Sequence, residues 1–321
     1  MLTTRFTELV GCSVPIQQAG MGNARAELAA AVTRAGGLGM VGGVMQPAQS
    51  LVDELKAISR EADGPVGVNF LMPFLDRDAV EAVEAVASRA RVVEFFYGDP
   101  DAELVETVRS KGALAAWQTG SAEEARAAAD AGCDFVIAQG VEAGGHVRGT
   151  TALVPLLDQV LEAIDIPVVA AGGIGSARGV AAALSAGADA VRIGTRFLAA
   201  EEADVHRFYL QALIEASPED TVLTTAFSTM WPDAPHRVLR SCVAAAESLE
   251  DDVVGEIDHA GARMRVPRLA PPTPGRNATG RVEAMALYAG QSVGAVRRVQ
   301  PAATIVSELA EGAESLLRRW T

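Results

Sequence analysis

Three amide side chains and one histidine stand out in this sequence because of where they occur. Asn69, Gln118 and Gln139 each lie at the end of a short apolar run, and His146 follows the last run behind a pair of glycines. An amide can donate and accept hydrogen bonds at once, which suits a planar heterocycle that carries both N–H and C=O groups. A histidine in such a loop can act as a base near neutral pH or hydrogen-bond an anionic substrate.

Any one of these amides could equally satisfy nearby backbone groups, so each alone leaves both interpretations open. The three together favour a bound ligand. His146 alone would be an ordinary loop histidine, and its position after an amide and two glycines favours a functional role.

Glycines also follow two later apolar runs, as Gly172-Gly173 and as Gly194 before Thr195. Such glycines let the backbone approach a ligand and turn its N–H groups toward phosphate, to which the next helix N-terminus adds partial positive charge. Any tight turn can use glycine, but glycines after two successive runs favour a phosphate site. At these run ends the sequence shows no paired carboxylates and no Ser or Cys nucleophile beside a base.

The elements that would position these residues are predicted from apolar runs, each followed by a helical pattern. The continuous apolar character predicts parallel strands covered on both faces. The predicted strands are Val14–Gln18, Gly39–Gly42, Val66–Phe70, Val92–Tyr97, Ala113–Gln118, Phe135–Ala138, Pro167–Ala170 and Ala190–Gly194.

Eight βα units in series predict an α/β fold of the TIM (β/α)8 barrel type, whose working residues lie at the carboxyl ends of its strands. In such barrels the loops after strands seven and eight are the usual phosphate site. A doubly wound open sheet is the alternative, but it usually carries GxGxxG after its first strand, and this sequence does not.

Helix signals complete the barrel and divide the chain. Ser121 and Glu124 predict a capping box, and Ser176 predicts a second N-cap. We predict the barrel over residues 1–215. The proline-rich residues 216–280 predict a smaller helical insertion followed by an extended loop, and residues 281–321 predict a segment that returns to the barrel. The spacing of its apolar residues predicts a closing amphipathic helix that reaches Trp320.

Composition limits the possible partners and compartment. The chain has 321 residues, of which 49% are hydrophobic, and carries a formal net charge of −14. This acidity disfavours nucleic acid and membrane surfaces as partners, although backbone amides can still bind a small anionic cofactor. Cys12, Cys133 and Cys242 are isolated, which favours a reducing compartment, and no signal or membrane segment is recognisable. We therefore expect a cytoplasmic protein, and the sequence leaves an oligomeric assembly open.

The motifs together resemble those of nitronate monooxygenases, formerly called 2-nitropropane dioxygenases, over almost the whole chain. The most specific stretch, Glu142-Ala-Gly-Gly-His146, is shared with flavin-dependent enoyl-acyl-carrier-protein reductases. The motifs that carry the resemblance are Pro15-Ile-Gln-Gln-Ala-Gly-Met21, Ala35-Gly-Gly-Leu-Gly39, Gln139-Gly-Val-Glu-Ala-Gly-Gly-His146, Ala170-Ala-Gly-Gly-Ile174, Gly194-Thr-Arg-Phe197 and Ala289-Gly-Gln-Ser292.

The resemblance implies FMN as the cofactor, without a metal. His146 would be the catalytic residue, taking the α-proton of a nitroalkane or binding the nitro group of a nitronate. Small-molecule substrate and dioxygen would give a carbonyl compound and nitrite. The resemblance implies three sets of FMN-binding residues: Ala19, Gly20, Met21, Asn69, Gln118 and Gln139 around the ring and ribityl chain, Gly144 and Gly145 beside the flavin, and Gly172, Gly173, Gly194 and Thr195 at the phosphate.

One departure keeps other functions open. Family members often have proline where Gly20 stands, and Gly20-Met21 is closer to the enoyl reductase version, whereas Ala289-Gly-Gln-Ser292-Val-Gly294 favours the monooxygenases. The alternatives are a flavin-dependent enoyl-acyl-carrier-protein reductase that uses NAD(P)H, and a flavin-binding module without catalysis. The physiological substrate does not follow from the sequence.

Overall fold

The structure, a computed structural model, describes residues 2–75, 77–259 and 261–319, and its centre is a barrel of parallel strands. The strands follow the order β1-β9-β8-β6-β5-β4-β3-β2, and backbone pairing of Gln17 with Leu38 closes the barrel between β1 and β2. The barrel strands are β1 (Ile16–Gln18), β2 (Gly39–Gly42), β3 (Val66–Leu71), β4 (Val92–Phe96), β5 (Leu114–Thr119), β6 (Phe135–Gln139), β8 (Val168–Ala171) and β9 (Ala190–Ile193), with the short β7 (Gly145–His146) in the loop after β6.

All eight predicted barrel strands are confirmed to within two residues at either end. Both predicted N-cap serines are confirmed, because the hydroxyl of Ser121 accepts from the backbone N–H of Glu124 at 3.2 Å and that of Ser176 accepts from Gly179 at 3.3 Å. The predicted capping box is only half formed, since the carboxylate of Glu124 accepts from the backbone N–H of Gly120 at 2.7 Å rather than from that of Ser121. The helices are α1 (Arg5–Val10), α2 (Ala26–Arg34), α3 (Ala48–Glu61), α4 (Arg77–Ala87), α5 (Ala102–Ser110), α6 (Ala122–Asp130), α7 (Leu153–Ala163), α8 (Ala177–Ser185), α9 (Arg207–Glu215), α10 (Arg240–Glu247) and α11 (Ala302–Leu317).

The inside of the barrel has an apolar layer and a polar layer. Helix α1 plugs the amino-terminal end, where Phe6 meets Phe135 edge-on with ring centroids 5.3 Å apart and Arg5 pairs with Asp189 at 2.8 Å. Above this plug, inward side chains such as Met40 and Val169 form an apolar cluster that is separate from the barrel–helix core. At the carboxyl ends of the strands the buried side chains become polar: Gln17, Asn69, Glu94, Gln118, Gln139 and Arg192.

Residues 216–280 differ from the predicted helical insertion, since their described helical elements are only α10 and a short 3-10 turn at Pro218–Asp220. The remaining elements are short strands: β10 (Thr221–Thr224), β11 (His236–Leu239), β12 (Val253–His259), β13 (Ala262–Pro267) and β14 (Thr279–Gly280). Strands β10, β11 and β7 form one sheet, and β13, β12 and β14 form another. The sequence carried the signal, since exposed Arg263 and Arg265 alternate with Met264 and Val266 at the period of a strand.

The C-terminal helix α11 packs on the barrel as predicted, and the predicted residue Trp320 lies outside the described residues. Ile305, Val306 and Leu309 are buried. A Cβ at Gly312 would lie 2.6 Å from the Cβ of Ala177, which shows how closely α11 approaches α8. Within the described residues, no helix has the length and apolar character that a membrane crossing needs.

Candidate active site

A cavity of about 330 Å3 opens at the carboxyl ends of the barrel strands. It is the place where this fold gathers working residues, because every strand delivers its last inward side chain to the same end. The structure brings every residue predicted for the site to this one cavity: Ala19, Gly20, Met21, Asn69, Gln118, Gln139, Gly144, Gly145, His146, Gly172, Gly173, Gly194 and Thr195.

An ion pair that the sequence analysis did not single out lies at the cavity floor. Arg192 donates from Nη2 to Glu94 Oε1 at 2.6 Å, and Gln17 and Asn69 donate to the same carboxylate at 2.7 Å each. Burial raises the pKa of Glu94 and lowers the pKa of Arg192, while their mutual attraction and the amide donors oppose both shifts. Because three donors converge on one carboxyl group, we assign the ionised pair. The available signal was a single charge inside each of two apolar strands.

The amides predicted to bind a ring leave unpaired polar atoms at the cavity. Asn69 donates from Nδ2 to the Glu94 carboxylate, and Gln139 donates from Nε2 to the backbone oxygen of His146 at 3.0 Å. Among the described residues, Gln118 Oε1, Gln139 Oε1 and Arg192 Nε are buried without a partner. An unsatisfied buried polar group costs about 1–3 kcal/mol, so these atoms call for a ligand with both donors and acceptors. An isoalloxazine ring fits this donor set.

The residues predicted to hold a phosphate form a cradle that a larger side chain would fill: Gly172, Gly173, Gly194 and Thr195. Gly172 and Gly173 have φ of +105° and +69°, in the region that glycine alone adopts easily. A Cβ at Gly172 would lie 2.9 Å from the backbone oxygen of Gly140. A Cβ at Gly144 would lie 2.4 Å from the backbone nitrogen of Gly290. The cradle therefore offers backbone rather than side chains, which fits a phosphate group.

The Ala289-Gly-Gln-Ser292 motif lies directly behind this cradle. The backbone N–H of Gly290 donates to Thr195 Oγ1 at 3.0 Å, and that of Gln291 donates to the backbone oxygen of Glu142 at 3.0 Å. The motif thus links the loop after β6 to the start of the turn after β9. Glu142 is a loop anchor, as its carboxylate accepts from the backbone N–H of Leu153 at 3.1 Å.

His146 lies in an aromatic surround at one side of the cavity. Strand β7 carries it and pairs with β11, which places it opposite His236. Its ring stacks on Trp231 with centroids 3.9 Å apart and planes at 22°, and Tyr97 and Tyr288 lie within 6 Å. Burial, with a smaller contribution from His236, lowers the pKa of His146 to about 3. The imidazole is therefore neutral near pH 7, and its Nε2 is buried without a partner among the described residues.

His236 cannot share this role, because both of its nitrogens are committed. Its Nε2 accepts from the backbone N–H of Phe227 at 3.2 Å, so its Nδ1 carries the proton and donates to the backbone oxygen of Ala234 at 2.8 Å. Of the other histidines, His206 caps α9 through the N–H of Phe208, and His259 contacts the backbone oxygen of Met45 at 3.1 Å.

The aromatic residues around His146 were not predicted from the sequence. Trp231 and Tyr288 line the cavity from the segment after the barrel, and Phe74 meets Trp231 edge-on at 5.2 Å. Tyr97 follows β4 with φ of +67°, a strained conformation for a bulky side chain. No local pattern predicts that Trp231 reaches His146, because the contact forms only when residues 216–280 fold over the barrel.

The charges that line the cavity are largely paired. Arg25 pairs with Glu54, Arg192 pairs with Glu94, and the rim adds the carboxylates Asp204 and Asp258. Among the described residues that line the cavity, neither arginine is left free for a second phosphate-bearing ligand.

Sequence comparisons relate the chain to flavin enzymes of one family. The sequence profile described as nitronate monooxygenase matches residues 3–84 and 76–312. A probable nitronate monooxygenase of Staphylococcus saprophyticus is 32% identical and aligns over 71% of this chain and 77% of its own. A (3aS,4S,5R,7aS)-5-hydroxy-7a-methyl-1-oxo-octahydro-1H-indene-4-carboxyl-CoA dehydrogenase of Rhodococcus jostii is 35% identical over 81% of this chain and 69% of its own.

Solved structures agree over the full length. FabK from Thermotoga maritima superposes with a TM-score of 0.83 at 29% identity, covering 100% of this chain and 99% of its own. Nitroalkane oxidase from Streptomyces ansochromogenes superposes with a TM-score of 0.78 at 31% identity, covering 99% of this chain and 100% of its own.

Proposed function

Because this chain belongs to the nitronate monooxygenase family of flavin-dependent oxidoreductases, we propose that it uses FMN to oxidise alkyl nitronates with dioxygen. The products are a carbonyl compound and nitrite. The observation that carries the proposal is His146, a neutral and buried imidazole whose Nε2 has no partner among the described residues and lies at a cavity with a glycine cradle.

FMN suits the cavity better than a dinucleotide. The cradle of Gly172, Gly173, Gly194 and Thr195 presents backbone to one phosphate, and the two arginines at the cavity already pair with carboxylates. When bound, FMN supplies the electron transfer between the substrate and dioxygen. The residues of the chain bind and orient the reactants and control the proton.

The state of His146 favours a nitronate over a neutral nitroalkane. A neutral imidazole can donate one N–H to a nitronate oxygen, or it can use a lone pair to take the α-proton of a nitroalkane. A pKa of about 3 makes it a weak base, because a general base works best with a pKa near the operating pH. Hydrogen bonding to the substrate leaves the imidazole neutral, so no charge has to form in this buried, apolar environment. Trp231 and Phe74 offer an apolar wall to the alkyl part of the substrate.

Reduction of the carbon–carbon double bond of an enoyl thioester by NAD(P)H is the second candidate, since the names of relatives include a carboxyl-CoA dehydrogenase and FabK, a flavin-dependent enoyl-acyl-carrier-protein reductase. Coenzyme A and NAD(P)H bring several phosphates. The described residues that line the cavity offer them the paired Arg25 and Arg192, with Asp204 and Asp258 on the rim. This charge pattern favours the smaller substrate. A non-catalytic flavin carrier has no need for a buried, unpaired imidazole.

The deciding experiment follows the flavin spectrum of the anaerobic holoenzyme after it is mixed with ethyl nitronate, NADH or NADPH. We expect the nitronate alone to reduce the flavin, and nitrite to appear after oxygen is admitted without nicotinamide. Nicotinamide oxidation that depends on a trans-2-enoyl thioester would instead assign the reductase function. A flavin that no substrate reduces would assign the non-catalytic module.

A further inference from the structure

The buried ion pair at the cavity floor joins opposite sides of the barrel. Glu94 lies on β4 in register with Asn69 on β3, and Arg192 lies on β9 in register with Gln17 on β1. In the order of the eight-stranded sheet, β4 and β9 stand four positions apart in either direction. The two side chains therefore reach toward each other from opposite walls of the barrel and meet at 2.6 Å.

Stability does not explain a pair at this depth. Glu94 is 0% exposed and Arg192 is 9% exposed, and the layer beneath them is apolar. Burying two charges costs desolvation energy, and replacing such a pair with apolar side chains is often neutral or stabilising. The barrel could thus have continued its apolar layer at these two positions.

Of the two paired residues, only Arg192 lines the cavity. Arg192 lines the cavity and keeps a buried Nε without a partner among the described residues, whereas Glu94 does not line it. The cation therefore lies nearer to a bound ligand than the anion that balances it. Glu94 also holds Nδ2 of Asn69, which leaves Oδ1 of that amide to accept from the ligand.

We propose that Glu94 and Arg192 are positioning residues whose opposed charges set the reduction potential of the flavin bound above them. The inference rests on the proposed binding of FMN. Reduction adds negative charge to the ring system, and a nearby cation stabilises that charge while Glu94 offsets part of the effect. The pair thus holds an intermediate potential, at which the flavin can take electrons from a substrate and release them to dioxygen.

Single and double substitutions test this because the two charges act in opposite directions. Glu94→Gln leaves Arg192 unbalanced, so the midpoint potential of the bound FMN should rise. Arg192→Gln removes the nearer cation, so the potential should fall. The Glu94→Gln/Arg192→Gln double variant should lie between the two single variants. We take one uncompensated charge about 10 Å from the flavin and an effective dielectric of about 20. Such a charge should change the affinity of the protein for reduced FMN, relative to its affinity for oxidised FMN, on the order of tenfold. For a two-electron couple, tenfold is about 30 mV.

Potentials are measured by dye-linked reduction of the holoenzyme without nitronate, so the result does not depend on the proposed reaction. Wild-type protein that binds no FMN would refute the proposed function and this inference together, whereas unchanged potentials in variants that bind FMN would refute the inference alone. Arg192→Lys keeps the charge and should stay near the wild-type potential. If Glu94→Gln fails to fold, the double variant still tests the pair, because loss of both charges removes the nearer cation and should lower the potential below that of the wild type, toward that of Arg192→Gln. The double variant should fold, because it leaves no unpaired buried charge.

Shifts in the same direction, or unchanged potentials at full FMN occupancy, would overturn the inference. So would an Arg192→Gln variant with an unchanged potential and a weakened affinity for nitronate, because the pair would then serve the substrate. A structural role alone would change the melting temperature and FMN content without opposite shifts in potential.

Discussion

The proton chemistry of the cavity depends on the residues that surround His146. Trp231 covers one face of its ring, and Tyr97, Tyr288 and His236 lie around it. Their apolar surfaces keep water away, which disfavours the imidazolium and lowers its pKa. His236 adds no base, because its two nitrogens are bonded to backbone.

Replacement of His146 distinguishes proton abstraction from hydrogen bonding. His146→Asn keeps a polar side chain and removes the base. Because a pKa of about 3 makes His146 a weak base, the substitution should lower the rates with nitroethane and with ethyl nitronate by similar factors, and a loss of about 10²–10⁴-fold confined to nitroethane would instead show general-base catalysis. Steady-state rates on both substrates at measured FMN occupancy check this. Equal losses would show that His146 positions the substrate, and no loss would remove it from the site.

The pH dependence of nitroethane oxidation follows from the direction of the same shift. Because the folded-state pKa of His146 is about 3, below its ordinary value of 6.5, the neutral form persists as pH falls from 8 to 5. The kcat/KM for nitroethane should therefore show no loss with a midpoint near 6.5. A loss at that pH that disappears in His146→Asn would show that the imidazole titrates normally. The same shift costs folding stability below pH 6.5, where the unfolded chain binds a proton that the native state refuses.

At the scale of elements, the turns that follow β8 and β9 form the proposed phosphate site. Each turn joins the carboxyl end of a strand to a helical segment, and α8 begins at Ala177, a few residues after the glycines. Gly172 and Gly173 adopt positive φ, so the backbone rather than a side chain faces the cavity. Backbone N–H groups and the start of a helix then provide the positive potential that an acidic protein lacks overall.

A charge placed in this cradle should release the cofactor. Gly173→Asp puts a carboxylate at the phosphate site and beside Glu142, whose Cβ would be 3.4 Å from the new Cβ. We expect the Kd for FMN to rise at least about tenfold, a difference of about 1.4 kcal/mol. Fluorescence titration of the apoprotein measures it. Gly173→Asn is the matched control, since it has the same size and tolerates positive φ without the charge. A folded Gly173→Asp variant with normal FMN affinity would place the phosphate elsewhere.

At the scale of the whole molecule, the two ends of the barrel differ in role: one end is sealed by packing, and the other carries the cavity. Helix α1 seals the amino-terminal end through Phe6 and the Arg5–Asp189 pair. The polar layer and the cavity occupy the opposite end, and residues 216–280 extend over it with two small sheets. Strand β7 joins one of these sheets to the barrel loop that carries His146, so the site is complete only when both parts have folded.

Local patterns in the sequence were sufficient for the barrel and for the residues at its rim. Continuous apolar runs predicted strands such as Gly39–Gly42 with their exact bounds, because parallel strands are buried on both faces. Asn69, Gln118 and Gln139 could be placed together without coordinates, since the strands of this fold all point their carboxyl ends to one side. The capping serines followed from chemistry within four residues.

Only the tertiary structure decided the partners and the pKa values of those residues. The ion pair of Glu94 and Arg192 joins strands far apart in the chain, and the stacking of Trp231 on His146 joins a later segment to the barrel. Neither contact has a local sequence pattern, because each depends on packing between distant elements. A pKa depends on burial and on neighbouring charges, which the fold creates. The sequence by itself therefore determined which side chains reach the cavity, and their packing determined that His146 stays neutral and that Asn69 donates its amide to Glu94.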